Sequence, residues 1–276
     1  MDIAHLRQWI GRSETSEDVA SEVPLAGLAA LLDRAEPWSR VMPPLAHWLY
    51  FLPHARQSEI DIDGHPRRGG FLPPVDLPRR MWAGGRLVFE AEIPVGARMA
   101  RRSTIADVTA KTGSTGNMVF VTVHHEIVTE AGVVVREEQG IVYREAPKPN
   151  ASSHARAAQA VREPCEHSRR VTPDSTQLFR FSALTFNAHR IHYDRDYCRD
   201  VEGYPGLVVQ GPFTAMLLMD HLLTSIPGAR VRAFKFRAQS PLFDTAPFEL
   251  CLSGHGAEMW AQGPNGKAMV AEAQLA

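Results

Sequence analysis

The pattern of apolar positions changes character twice along this chain. Over residues 1–50 it is helical: Ile3, Leu6 and Ile10 recur every three or four positions, Leu25 to Leu32 is a compact run stopped near Pro37, and VMPPLAHWLYFLP (41–53) is apolar almost all round. The spacing predicts three helices, the third a buried one with Pro43 and Pro44 at its start, where a missing N–H costs little. Residues 54–80 show no period. They hold Gly64, the Arg67-Arg68-Gly69-Gly70 run, Pro73-Pro74 and Pro78, and an irregular stretch of that length inside a compact domain is often functional.

A β-like pattern follows. Four strands are predicted at 87–95, 103–113, 118–129 and 133–145, with glycine-containing turns between the last three, and β-branched content carries the assignment as much as alternation does. Residues 146–170 are rich in Pro, Ala, Ser and Arg and read as a linker. Beyond it the order of elements repeats without sequence repetition. A short strand from Leu178 to Ala183 and a loop precede a helix from Pro212 to about Ser225, and strands are expected at 229–239, 247–255, 257–263 and 267–275. Each half therefore reads as a helix followed by antiparallel strands, which predicts an α+β chain. Its divisions fall at 1–148 for the first unit with its helical extension, 149–170 for the linker and 171–276 for the second unit.

Composition narrows the function classes. Lys and Arg total 30 against 31 Asp and Glu, a net charge of −1, so nothing general draws the chain to nucleic acid or an anionic membrane. Three dispersed cysteines, Cys165, Cys198 and Cys251, make a disulfide framework or a structural zinc site unexpected. The opening MDIAHLRQWIGRSE has charges inside its apolar stretch, and no run approaches the roughly 20 apolar residues that span a bilayer. A cytoplasmic protein is expected.

Candidate chemistry concentrates between Leu178 and Leu218. Asn187, His189, Arg190, His192, Tyr193 and Asp194 fall within eight consecutive positions, and Gln210-Gly211-Pro212 stands at a predicted helix start. His192 reads either as a general acid/base, since imidazole titrates near neutrality, or as a packed histidine. Asn187 does not titrate but can hold a water through its carboxamide. Asp194 reads as a turn cap or an exposed charge, and Arg190 as a carboxylate clamp or a surface ion pair. Gly211 either lets a ligand approach helix N–H groups that favour developing negative charge or simply begins the helix. No nucleophile-elbow, dinucleotide, Walker or HExxH motif is present, His124 and His125 alternate across a strand, and no metal is called for.

The segment LFRFSALTFNAHRIHYDRDYCRDVEGYPGLVVQGPFTAMLL resembles the active-site segment of MaoC-like hydratases and dehydratases, in particular their HTD2-like branch. PPLAHWLYFLP, GGFLPPVDLPRRMWAGG and EEQGIVYRE resemble the FAS1-like dehydratase domain that accompanies it, so the likeness covers most of the chain. It implies a double hotdog, with two curved antiparallel sheets each wrapping a central helix, and water addition to or removal from the 2,3 double bond of an acyl thioester. The family's usual segment resembles GDxNPxH. Here Asn187 stands at the aspartate position, His189 at the asparagine, Arg190 at the proline and His192 at the histidine, while Gly211 matches the backbone N–H that polarises the thioester and Gln210 stands where many relatives have histidine.

The resemblance thus implies His192, Asn187 and Gly211 as catalytic. Arg190 and Arg80 are implied for a distal substrate carboxylate, Arg67 and Arg68 for coenzyme A phosphates, and His189 and Gln210 for further substrate contacts. No cofactor is implied beyond the coenzyme A thioester substrate, and the pairing of hotdog units leaves open a homodimer or pairing inside a single two-unit chain. The branch it most resembles hydrates short branched enoyl-CoA esters with a free carboxylate.

Overall fold

A computed structural model describes residues 2–113, 116–145 and 163–276. The first half begins with a short helix α1 (Ile3–Leu6), strand β1 (Ser13–Val19) and helix α2 (Glu22–Leu31). Strands β2 (Arg79–Phe89), β3 (Arg98–Gly113), β4 (Gly116–Thr129) and β5 (Gly132–Arg144) follow. The second half holds β6 (His167–Val171), α3 (Ser175–Leu184), α4 (Arg195–Asp200), α5 (Gly211–Ser225) and strands β7 (Val231–Ala238), β8 (Phe248–Ser253), β9 (Glu258–Gly263) and β10 (Gly266–Leu275).

The ten strands form one antiparallel sheet in the order β1-β3-β4-β5-β2-β7-β10-β9-β8-β6. Each half contributes five strands, as the α+β double-hotdog order requires, but the two sheets are continuous. The seam is β2 against β7, Gly84–Val88 pairing with Arg237–Ala233. A Cβ on Gly84 would lie 2.5 Å from the Phe236 carbonyl oxygen, so glycine lets the two halves close at this crossing.

Helix α5 packs against β8, β9, β10 and β2. Every residue from Phe213 to Leu222 is buried, which explains its all-round apolar surface. Its one buried carboxylate, Asp220, is held by Arg34 at 2.6 Å and Arg169 at 2.7 Å. In β4, Val119, Val121 and Val123 point inward, while Phe120 and Thr122 are half-buried and His124 is exposed. A second apolar cluster joins these valines to Ile105, Val108, Ile141 and Tyr143, and the irregular stretch after residue 54 covers it with Val75 and Leu77.

Three expectations are corrected. Residues 41–53 do not form an α-helix: only Ala46–Leu49 turn, as a 3₁₀ segment, between Leu45 and Phe51 at φ 71° and 55°. Their apolar character reflects burial of an irregular segment. Residues 13–19, read as helical, form an edge strand bonded only to β3. Leu178–Ala183 is not a strand. It lies in α3, where Asp174 accepts from the Gln177 N–H and Leu178, Phe181 and Ser182 turn inward at helical spacing. The linker expected at 149–170 lies outside the described residues as far as residue 162, and its end belongs to β6. Among the described residues no helix is long and apolar enough to cross a membrane.

One buried carboxylate stabilises the junction of the irregular segment with the sheet. Glu137 on β5 accepts from His47 Nε2 at 2.9 Å and Trp48 Nε1 at 3.1 Å. Burial would raise its pKa, but the His47 hydrogen bond and charge hold it below the ordinary carboxylate range. Glu137→Ala leaves His47 and Trp48 without their acceptor and is expected to cost about 3–5 kcal/mol, the usual range for breaking a buried pair. Chemical denaturation checks this. Because the folded-state pKa is depressed, the contribution is complete above the unfolded carboxyl pKa and disappears as pH falls through the folded one, so the wild-type advantage over the variant narrows in acid.

Candidate active site

A cleft of about 1120 Å³ runs between the two halves, lined by the irregular segment, β2, β5, the 185–192 stretch and the start of α5. Helix α5 begins at Gly211, with Gln210 as its cap and Pro212 in its first turn. Pro212 has no N–H and the Thr214 N–H returns to the Gln210 carbonyl, so the Gly211 N–H is a donor presented at the positive end of a fifteen-residue helix. A Cβ at Gly211 would meet nothing closer than the Trp82 carbonyl oxygen at 3.7 Å. No protein neighbour demands glycine there.

Helix α3 ends at Leu184, and a left-handed Phe186 (φ 47°) turns the chain into the segment Asn187–His192. The Asn187 carboxamide oxygen accepts from the His189 N–H at 3.1 Å, an Asx turn that leaves its amide nitrogen for the cleft. A 3₁₀ turn, Arg190–His192, then buries His192. His192 Nδ1 lies 2.7 Å from the Val208 carbonyl oxygen. A carbonyl only accepts, so Nδ1 carries the proton and Nε2 is the nitrogen left to the cleft. Burial pushes the His192 pKa down to about 4 against the opposing pull of the Val208 bond. The ring is a neutral imidazole at neutral pH, with a lone pair able to take a proton from water.

His189 also lines the cleft. Burial, and then the neighbouring His65 and His192, lower its pKa to about 2. Its ring centroid is 4.0 Å from that of His65 and 5.4 Å from that of His192. His65 was not expected here. It arrives on the irregular segment with Asp63, whose carboxylate accepts from the His65 N–H at 2.8 Å and faces Nδ1 of the same ring at 3.0 Å. An acid–Gly–His triplet in the longest unpatterned stretch was the available signal, but its meeting with His189 is non-local.

Three expected residues need correction, and one of the two readings of Asp194 is selected. Arg190 is absent from the cleft lining. Its guanidinium donates to Asp194 at 2.7 Å and to the Ile62 carbonyl at 3.2 Å and stacks 4.2 Å from the Tyr197 ring, so it locks the segment and does not clamp a ligand. Asp194 accepts from Arg190 and caps α4 through the Tyr197 N–H, the turn-cap reading. Arg68 lines the cleft, but both its terminal nitrogens are engaged by the carbonyls of Val75, Leu77 and Pro78 at 2.6–2.8 Å; it staples the loop over the second apolar cluster. Gln210 is 1% exposed, and its amide nitrogen donates to the Leu178 carbonyl and Ser182 Oγ, tying α3 to α5.

Arg80 and Arg67 line the cleft with no side-chain ion pair among the described residues. Arg80 is half-buried near His65 and His189, whose protonation its charge opposes, and Arg67 is exposed. The far wall is polar as well: His47 and Trp48 on Glu137, His125 on Ser103 and Gln139, and Arg101 over the Phe51 ring.

Comparison with known proteins follows the same outline. The family model described as hydroxyacyl-thioester dehydratase type 2 matches residues 45–244. The chain is 46% identical to mesaconyl-C(4)-CoA hydratase of Chloroflexus aurantiacus, over 96% of each protein. It is 24% identical to the mitochondrial hydroxyacyl-thioester dehydratase type 2 of Schizosaccharomyces pombe, over 88% of this chain and 91% of that one. Among solved structures, HtdX of Mycobacterium tuberculosis superposes with a TM-score of 0.67 at 15% identity, covering 96% of this chain and all of the other. A further M. tuberculosis protein, described as having a double hotdog fold, gives 0.57 at 13% over 96% of each chain. With most of its length inside the family model and nearly half its residues shared with a curated member, this chain belongs to the MaoC-like hydroxyacyl-thioester dehydratase type 2 family and is a hydro-lyase.

Proposed function

We propose that the protein reversibly hydrates the 2,3 double bond of a short branched enoyl-CoA bearing a free carboxylate, of the mesaconyl-C4-CoA kind, to give citramalyl-CoA. The observation that carries the chemistry is the meeting, in one cleft, of the anchored neutral imidazole of His192 with the Gly211 N–H at the head of α5. The water oxygen bonds to C3 as His192 Nε2 takes its proton. The electron pair of the double bond moves toward the thioester, the Gly211 N–H stabilises the enolate oxygen, and C2 receives a proton. The Asn187 amide nitrogen orients the water. His189 lies against the acyl group, Gln210 holds the α3–α5 corner beneath it, and Arg67 meets coenzyme A phosphate at the rim.

The dicarboxylic substrate is supported by the 46% identity with the Chloroflexus hydratase and by Arg80, the cleft guanidinium left without an anion near the histidines. Loss of enoyl-thioester absorbance should be faster with mesaconyl-C4-CoA than with crotonyl-CoA. Arg80→Gln should lower kcat/KM for the dicarboxylic ester by about 10- to 100-fold, the scale of a charge-assisted hydrogen bond, and leave crotonyl-CoA little changed. Equal loss on both esters would remove Arg80 from substrate recognition.

A second reading, dehydration of plain 3-hydroxyacyl thioesters, is favoured by one observation: the cleft volume far exceeds a five-carbon acyl group. Longer enoyl-CoA esters turned over as fast as mesaconyl-C4-CoA would establish it. We keep units at 1–148 and 171–276 joined by 149–170, a homodimer and a cytoplasmic location as parts of the proposal, noting that the yeast relatives are named mitochondrial.

A further inference from the structure

Hydration moves two protons, one off the water and one onto C2; His192 can carry both in turn when they use one face of the double bond, and addition across opposite faces needs a second carrier. Asn187 does not titrate. His192 has a carbonyl as its ring partner. His189 has no hydrogen bond from its ring among the described residues and lies between two imidazoles with Arg80 nearby, so a proton there meets only unfavourable neighbours. At this end of the cleft His65 alone has a carboxylate against its ring, Asp63 Oδ2 at 3.0 Å from Nδ1.

The chain holds this pair in place from both sides. The Arg190 N–H donates to the Asp63 carbonyl at 2.9 Å, and the Arg190 guanidinium to Ile62. The Asp61 N–H donates to the His65 carbonyl and the Arg67 N–H to Glu59, which closes the loop on itself. Gly64 sits at φ 90°, and a Cβ there would be 1.8 Å from the Ala188 carbonyl oxygen. The first half of the chain thus delivers Asp63-Gly64-His65 onto Ala188-His189-Arg190 of the second at backbone contact.

We propose that His65, backed by Asp63, is a second catalytic residue: its imidazolium gives the proton to C2 while His192 takes the proton from the attacking water. This deepens the hydratase reading above and rests on it. In the hydration direction the water oxygen forms the C3–O bond and one O–H bond breaks toward His192 Nε2. The double-bond pair forms C2–H with the proton leaving His65 Nε2, whose Nδ1–H stays on Asp63. His192 ends with one proton more and His65 with one fewer. The difference returns through solvent in the cleft. Burial, and then the charges of Arg80 and Arg68, lower the His65 pKa below the ordinary imidazole range while Asp63 alone pulls it up, so the imidazolium forms on the acid side and depends on that carboxylate. The charged or titratable groups around His65 are Asp63 and Arg68 on its own segment, Arg80 on β2, and His189 and His192 on the catalytic segment. Tyr143 on β5 lies against the same arginines, its ring 5.8 Å from the Arg68 guanidinium carbon.

The test compares wild type, His65→Gln and Asp63→Asn, with thermal melting to confirm folding, on mesaconyl-C4-CoA and crotonyl-CoA across pH. His65→Gln should lower kcat by roughly 10²–10⁴-fold, as loss of a general acid does, with KM little changed. Activity that needs the His65 imidazolium falls as pH rises. Removing the Asp63 charge lowers that imidazolium pKa, so the falling limb of Asp63→Asn should move to lower pH, a displacement that a merely structural role would not cause. Full kcat in His65→Gln, or a weakened Asp63→Asn enzyme with an unmoved limb, would overturn the assignment. The Asp63, His65 and His189 ligand atoms all lie within 4.8 Å of one another, so metal content of the purified protein is measured too. One tightly held divalent ion whose removal by chelator abolishes turnover would also overturn it. Wild-type protein that turns over neither ester would instead bring down the hydratase reading itself.

Discussion

His192→Gln should lower kcat for enoyl-CoA hydration by roughly 10²–10⁴-fold, about 3–5 kcal/mol of transition-state stabilisation, with a much smaller change in KM. Glutamine preserves polarity and much of the reach toward the Val208 carbonyl but cannot accept the proton of the water. The residual rate would come from the Gly211 N–H and from orientation, both of which survive the change. The wild-type pH profile carries the matching signature. Burial pushes the imidazole pKa down to about 4, and the neutral ring is the competent form. The acid limb of kcat/KM belonging to His192 should therefore fall as pH drops through about 4, below the range in which an exposed histidine titrates. Steady-state kinetics of both proteins decide this. A variant within tenfold of wild type would move the base elsewhere.

Gly64→Ala should be the most damaging single methyl group in the cleft wall. The added carbon would sit 1.8 Å from the Ala188 carbonyl oxygen and 2.7 Å from its carbon, both backbone atoms that cannot rotate away, at a φ of 90° that alanine resists. The segment has to lift, and the Arg190 bonds to Asp63 and Ile62 go with it. Left-handed strain of about 1–2 kcal/mol and two hydrogen bonds at about 1 kcal/mol each add up to a substantial part of an ordinary stability of about 5–15 kcal/mol. The expected result is a melting temperature lower by roughly 5–15 °C, together with lost hydration because His65 and His189 separate. Calorimetry and the enoyl-thioester assay read the two effects independently. Unchanged melting with full activity would mean that the segment is not docked in solution as described.

What the sequence made legible tracks how local the cause was. Strands β3, β4 and β5 were readable because β-branched residues saturate them: MVFVTVHHEIV declares a strand whatever it packs against. Helix α5 was readable from a proline in its first turn and a long apolar surface. Strand β1 was not, since SETSEDV is exposed along most of its length and is a strand only because β3 offers it an edge. Helix α3 was misread because LFRFSAL has β-favouring content, although Asp174 placed three residues before Gln177 carried a cap signal.

At the site, the segment around His192 stood out by density of polar chemistry. Arg190 did not disclose its partner until Asp194, four residues on, was seen holding it. Asp63 and His65 were beyond reach of any window, because their importance comes from a backbone contact 124 positions away, Gly64 against Ala188.

The seam between β2 and β7 has a consequence for how such a protein can change over generations. Two identical units paired edge to edge would build every site twice, and any substitution would strike both copies at once. Here the pairing is made within one chain, so its halves are free of that symmetry. One carries the glycine-led helix and His192, the other brings Asp63-Gly64-His65 and a polar far wall. A mutation in the irregular segment reshapes the single cleft without touching a mirror-image residue, so each half can change its share of the cleft wall while the other keeps its own.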